Sequence, residues 1–189
     1  MTRWPTVRLT EARQVLALMD VEEEDLPPPG GDLHAWYDGL RHASPADAVD
    51  YIAHALPRFE AVAWAAAFLH ERSRDRDLPG RDRLALDHAM RWLDEPNDAN
   101  RRAVHAAAQA AGQRSPERML GSAVFYSGGS ISPVGAAPVL PPEEAALRCA
   151  AGAVKMAAYR TETPIEAMAE ALALAEQVAE RGVRALTKP

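Results

Sequence analysis

From residue 44 onward the chain repeats one phrase: a small capping residue followed directly by proline. Ser44-Pro45-Ala46-Asp47, Ser115-Pro116-Glu117 and Thr163-Pro164-Ile165-Glu166 all carry it. A hydroxyl at such a position satisfies one of the amides that a helix start leaves unpaired, and proline at the first helical position has no amide to lose. Thr163 with Glu166 reads as a full capping box. Leu56-Pro57, Leu78-Pro79 and Glu95-Pro96 are three further prolines consistent with helix entry. Together these signals divide residues 44–189 into about seven helices.

Helical periodicity fills the intervals. Residues 57–74 place Phe59, Val62, Ala63, Ala66, Ala67 and Leu69 on a broad apolar face with Trp64 beside it, the pattern of a core helix. Residues 80–93 gather Leu86, Ala89, Met90 and Leu93. A helix over 96–111 is expected to end at Gly112, and its Ala106-Ala107-Ala108 run permits close backbone approach. Two last helices run over 142–159 and 164–181, the second closed by Gly182. Connections this short predict antiparallel neighbours. Hydrophobic residues make up 48% of the chain but aromatics only 6%, which favours closely spaced helices over a bulky β-sandwich core. The expected fold is therefore all-α: one compact bundle of about seven antiparallel helices. No fixed period recurs, which argues against a solenoid of regular helix pairs.

Residues 1–43 read differently, as an irregular arm on the bundle domain of 44–189. Thr10 is placed to cap a short helix with Ala12, Val15, Leu16 and Met19 on one face. Glu22-Glu23-Glu24-Asp25 and then Pro27-Pro28-Pro29-Gly30-Gly31 end it in an exposed acidic, proline-rich linker, since successive prolines remove donors and glycines raise the entropy cost of order.

Composition excludes several classes of function. A formal charge of −6 offers no cationic footprint for phosphate backbones, so nucleic acid is not an expected partner. Arginine far outnumbers lysine among 21 basic residues, which suggests a high-GC bacterial coding sequence. Cys149 is the only cysteine, in an apolar helical run, which fits an inert thiol in a reducing compartment. No apolar stretch approaches the roughly 18 residues that span a bilayer, and Met1-Thr2-Arg3-Trp4-Pro5 precedes no signal-peptide core, so a cytoplasmic protein without membrane insertion is expected. The histidines lack metal-ligand spacing: Asp50 and His54 stand alone, and His70-Glu71 begins a zinc-protease motif that Arg74 breaks. No nucleophile elbow or P-loop is present. Neither catalytic residues nor a metal or cofactor is expected.

One loop stands out against this helical background. Val124-Phe125-Tyr126 lead into Ser127-Gly128-Gly129-Ser130-Ile131-Ser132-Pro133-Val134-Gly135, then Ala136-Ala137-Pro138-Val139-Leu140-Pro141-Pro142. Apolar residues alternate with prolines and glycines, which predicts an ordered crossing over the helical body. It reads either as a recognition loop on a rigid scaffold or as a helix C-cap, with Gly128 or Gly129 at positive φ, followed by a packed connector. Lys155 shares a helical stripe with Arg148, Gly152 and Tyr159. That stripe is either a solvated edge or an ion-pair or anion site, and the glycine is also consistent with a close helix contact.

Leu56-Pro57-Arg58-Phe59-Glu60-Ala61-Val62-Ala63-Trp64-Ala65 and Phe125-Tyr126-Ser127-Gly128-Gly129-Ser130-Ile131-Ser132-Pro133 resemble an uncharacterised bacterial helical family, a domain of unknown function. Its members carry L-P-R-x-E-A-V-x-W-A early and S-G-G-S-[IL]-x-P later. Between these motifs, Leu93-Asp94-Glu95-Pro96-Asn97-Asp98-Ala99-Asn100-Arg101-Arg102 is similar to the family's W-[LV]-x-x-P-x-x-x-x-R-R-x-A segment. This chain departs from the family at Arg58-Phe59 and Ala63-Trp64, where Arg-Arg and Trp-Trp are common. The resemblance spans about residues 45–160 and implies an accessory or adaptor role in type VI secretion neighbourhoods.

An Arg58–Glu60 pair at a helix start is expected to tie that helix to the 127–132 loop through backbone carbonyls, so that the two motifs meet. The candidate interaction or ligand site comprises Arg58, Glu60, Trp64, Tyr126, Ser127, Gly128, Gly129, Ser130 and Lys155. The reading carried forward is a non-enzymatic adaptor with a protein partner. A small-molecule or anion-binding protein, including an enzyme, and a self-assembling homo-oligomeric subunit remain open as alternatives.

Overall fold

A computed structural model of the chain describes residues 3–74 and 76–186. Residues 1, 2, 75 and 187–189, which the expected arm and bundle include, lie outside the described residues. Among the described residues the chain is all-helical, with nine α-helices and no strand: α1 (Ala12–Leu18), α2 (Leu33–Ala43), α3 (Pro45–Ala55), α4 (Arg58–Arg72), α5 (Gly80–Asp94), α6 (Asp98–Ala110), α7 (Pro116–Tyr126), α8 (Ala145–Ala158) and α9 (Pro164–Arg181). Short 3₁₀ turns lie at Glu23–Asp25 and Gly182–Leu186. No described helix is long and apolar enough to cross a membrane.

The helix starts follow the capping logic unevenly. The Ser115 side chain accepts from Arg118 N at 3.1 Å, and Asn97 and Asp32 do the same for α6 and α2. Ser44 and Thr163 stand before their prolines without a side-chain cap bond, so the capping box expected at Thr163 does not form. At α1 the cap residue is Glu11 rather than Thr10, and the Gln14 side chain accepts from both Thr10 N and Glu11 N. Helix α6 ends at Ala110 with Ala111, not Gly112, as its C-cap residue; the Gly112 amide instead donates to buried Asp82 on α5 at 2.7 Å.

The N-terminal residues hold a helix that the sequence reading passed over, α2, and they share the main core. Trp4, Val15, Leu16, Leu33 and Tyr37 are buried in the same cluster as Trp64, Leu120 and Leu172. Thr6 N and Oγ1 both donate to the Ala179 carbonyl of α9, while Tyr37 Oη and Arg41 both donate to Glu176. Helix α8 lies against α7, α4 and α3, and α7 also packs on α6 and α5. Alanines line these contacts, Ala150, Ala151, Ala153 and Ala158 being fully buried on α8. The longest connection among the described residues, 127–144, runs over the surface, with residues 133–140 exposed.

Candidate functional site

The first turn of α6 organises the loop that follows α7. Asp98 stands three and four residues before Arg101 and Arg102, so both guanidiniums reach back over one helical turn to its carboxylate. Oδ1 accepts from Arg101 Nη2 at 2.6 Å and Nε at 3.0 Å; Oδ2 accepts from Arg102 Nε at 2.9 Å. Hydrogen bonds from Arg101, then from Arg102, hold the Asp98 carboxyl below its usual range. Arg101 is buried, donates to the Phe125 and Ser130 carbonyls, and stacks 4.9 Å from the Phe125 ring centroid. Arg102 donates to the carbonyls of Ser130 and Ser132, each at 3.0 Å. A planar guanidinium with five donors suits this division between one carboxylate and several carbonyls.

The loop closes on itself above these arginines. Ser130 Oγ accepts from the amides of Ser132 and Val139, and Ile131 N donates to the Val139 carbonyl at 2.8 Å. Gly129, not Gly128, takes the positive φ of 69°. A Cβ there would lie 3.1 Å from Arg101 Nη2, so glycine answers both the backbone angle and the close approach.

The expected site residues divide. Arg58, the first residue of α4, donates to the Ser127 carbonyl at a long 3.4 Å, which places the two motifs in contact. No ion pair joins Arg58 to Glu60 among the described residues: Asp98, Arg101 and Arg102 make the tie to the loop instead, because an α6 start reaches its carbonyls directly. Tyr126 ends α7 beside Phe125, and Ser127 Oγ donates to the Val124 carbonyl at 2.7 Å. Trp64 is fully buried and donates from Nε1 to the Ala171 carbonyl of α9, a core role away from the loop. Lys155 is committed to Asp50 of α3, with Nζ 2.7 Å from Oδ1. Gly152 faces Met119 of α7, the close helix contact.

A surface hollow of about 350 Å³ lies beside the loop, lined by Phe59, Trp92, Pro96, Asn97, Asp98, Arg101, Ser127, Gly128 and Gly129. The three segments quoted for the family resemblance thus border one feature. Residues 38–179 match a family of unknown function, DUF6931. The chain belongs to that family. No curated protein and no solved structure matches it. The DUF6931 match takes in the α6 arginines, the whole 127–144 loop and the hollow, while α1 lies outside it.

Within this DUF6931 chain, Arg101 and Arg102 are the residues that sequence reading left out of the site. The available signal was the Arg-Arg doublet at helical spacing from Asp98, immediately after a proline-marked start. Beyond the anchored base, the loop turns outward at Gly135, φ 87°. Its apolar side chains point to solvent: Val134 is 85% exposed and Leu140 73%.

Proposed function

We propose that this chain is a non-enzymatic interaction protein that presents residues 133–140 as a pre-ordered apolar ligand to a protein partner. The observation that carries the reading is the contrast between Val134, Val139 and Leu140, all exposed, and the loop base beneath them, held by Arg101, Arg102 and Ser130. A flexible loop would lose its conformational entropy on binding, whereas one ordered beforehand has little left to lose. Prolines at 133, 138, 141 and 142 restrict it further. In the neighbouring hollow Asp98 and Arg101 already satisfy each other, which supports protein interaction over anion binding at that place.

On this reading the fold is a bundle of mostly antiparallel helices serving as a rigid platform. The protein works in the bacterial cytoplasm as an accessory of a secretion system, in keeping with the resemblance of its motifs. The test is site-specific photo-crosslinking in the native host, with the crosslinker at Leu140 and, as control, at exposed Arg91. A defined partner crosslinked from Leu140 and lost when Val134→Asp and Val139→Asp are added supports the reading. A product at twice the mass of the chain replaces it with self-assembly, and identical products from both positions reject it.

A further inference from the structure

A second cleft, of about 370 Å³, lies where three segments meet: Arg8, Leu9 and Leu18 of the N-terminal region, His54 to Arg58 at the α3–α4 corner, and Glu143 with Leu147 at the start of α8. Its volume falls in the range of small-molecule sites, about 300–1,000 Å³. Its chemistry is divided. Leu9, Leu18, Leu56 and Leu147 supply apolar wall, and Arg8 and Arg58 supply guanidiniums.

Neither guanidinium is neutralised by a carboxylate among the described residues. Arg3, Arg13, Arg41, Arg72, Arg74, Arg101, Arg102, Arg148 and Arg160, in contrast, each meet one. Among the described residues Arg8 and Arg58 meet none, and the only hydrogen bond of the Arg58 guanidinium is the long one to the Ser127 carbonyl. A buried histidine completes the wall. His54 is 3% exposed, and its Nδ1–H donates to the Asp50 carbonyl at 2.7 Å, a bond that requires the proton on Nδ1. Nε2 is then buried without a hydrogen-bond partner. Trp4 Nε1, His34 Nε2, His70 Nδ1 and His105 Nδ1 are also buried without a partner, but of these residues His54 alone lines the cleft, where a bound group would satisfy it.

The geometry points to this cleft as a binding site for a small amphiphilic carboxylate, its head between Arg8 and Arg58 and its apolar chain along the leucines. Carboxylate suits a pair of guanidiniums, which bind planar oxyanions through two parallel hydrogen bonds. The leucine wall sets the second requirement, since it returns affinity only for a ligand with apolar surface to bury. Arg8, Leu9 and Leu18 fall outside the family match, so the ligand preference belongs to this chain's own N-terminal segment. The inference is independent of the role proposed for the 133–140 loop.

The experiment is calorimetric titration of the full chain with octanoate, and with inorganic phosphate as a headgroup lacking a tail, followed in parallel by the imidazole NMR signals of His54. Octanoate is expected to bind saturably and shift His54. Arg8→Gln and Arg58→Gln should each weaken binding about tenfold, the worth of a charge-assisted hydrogen bond, while Arg91→Gln leaves it unchanged. Unaltered circular dichroism shows that the variants fold, and Arg8→Gln, on an exposed residue outside the loop contact, keeps the test independent of Arg58. No saturable binding tighter than about 1 mM overturns the site. So does undiminished binding in the double arginine variant, and phosphate binding as tightly as octanoate overturns the amphiphile.

Discussion

The Cβ that Gly121 lacks would lie 2.3 Å from the Cβ of Ala108, so α7 crosses α6 at a distance that only glycine permits. The alanine run at 106–108 supplies one half of this contact and Gly121 the other. Gly121→Ala is expected to lower stability by about 1–3 kcal/mol, because neither backbone can turn away as a flexible side chain would. Urea denaturation checks it: an unchanged midpoint contradicts the crossing, and adding Ala108→Gly should return part of the loss.

Arg101→Lys keeps a charge but cannot serve Asp98 and the carbonyls of Phe125 and Ser130 together. A cost on the order of 2 kcal/mol follows from the acceptors left unpaired. Hydrogen exchange should locate it, with the Ile131 and Val139 amides losing protection before the α8 amides do. Unaltered protection at those two amides would show that Arg101 does not hold the loop.

Ser130→Ala removes the hydroxyl that accepts from Ser132 N and Val139 N. The expected loss is about 1 kcal/mol, since both amides lie near enough to solvent to recover part of their bonding. The crosslinking yield from Leu140 should fall with it, because the partner then has to order the loop. Equal yield from wild type and variant counts against preorganisation.

Burial pushes the Cys149 thiol up from about 9 to about 11. The folded state thus holds its proton more tightly than the unfolded chain, and the stability this gives is present below about pH 9 and lost as pH rises towards 11. Iodoacetamide at pH 8 should label Cys149 slowly in the native protein and rapidly in urea. Equal rates would place the thiol in solvent.

His54 and His105 are both pushed below the usual histidine value of 6.5, first by burial, and His105 also by the charges of Arg101, Arg102 and Arg118. Each is neutral in the fold, so its contribution is present above pH 6.5 and lost as pH falls through the folded-state value. Denaturation midpoints should therefore drop below pH 6.5, and a His54→Gln/His105→Gln protein should show a shallower drop. Parallel curves for the two proteins would remove these histidines from the acid response.

Sequence legibility followed the range of the forces involved. The starts at Pro45, Pro116 and Pro164 agree with α3, α7 and α9 because proline acts within a single turn. Whether the preceding hydroxyl also caps depended on backbone angle, which is why Ser115 bonds and Ser44 does not. Helix α2 was hidden behind three prolines and two glycines; its stability comes from burying Leu33 and Tyr37 and from the Tyr37–Glu176 bond across the chain.

The all-α class, the helix starts and the singular nature of the 127–142 loop were written locally, in capping residues, prolines and apolar periodicity. The fates of individual polar groups were not. Trp64 finds its acceptor 107 residues away and Lys155 its carboxylate 105 residues away, while Arg101 and Arg102 meet the Ser130 carbonyl 29 and 28 residues on. A buried donor takes whichever acceptor packing brings within about 3 Å, and packing is a property of several helices together. For that reason the loop was visible in the chain, and the arginines that hold it only in the fold.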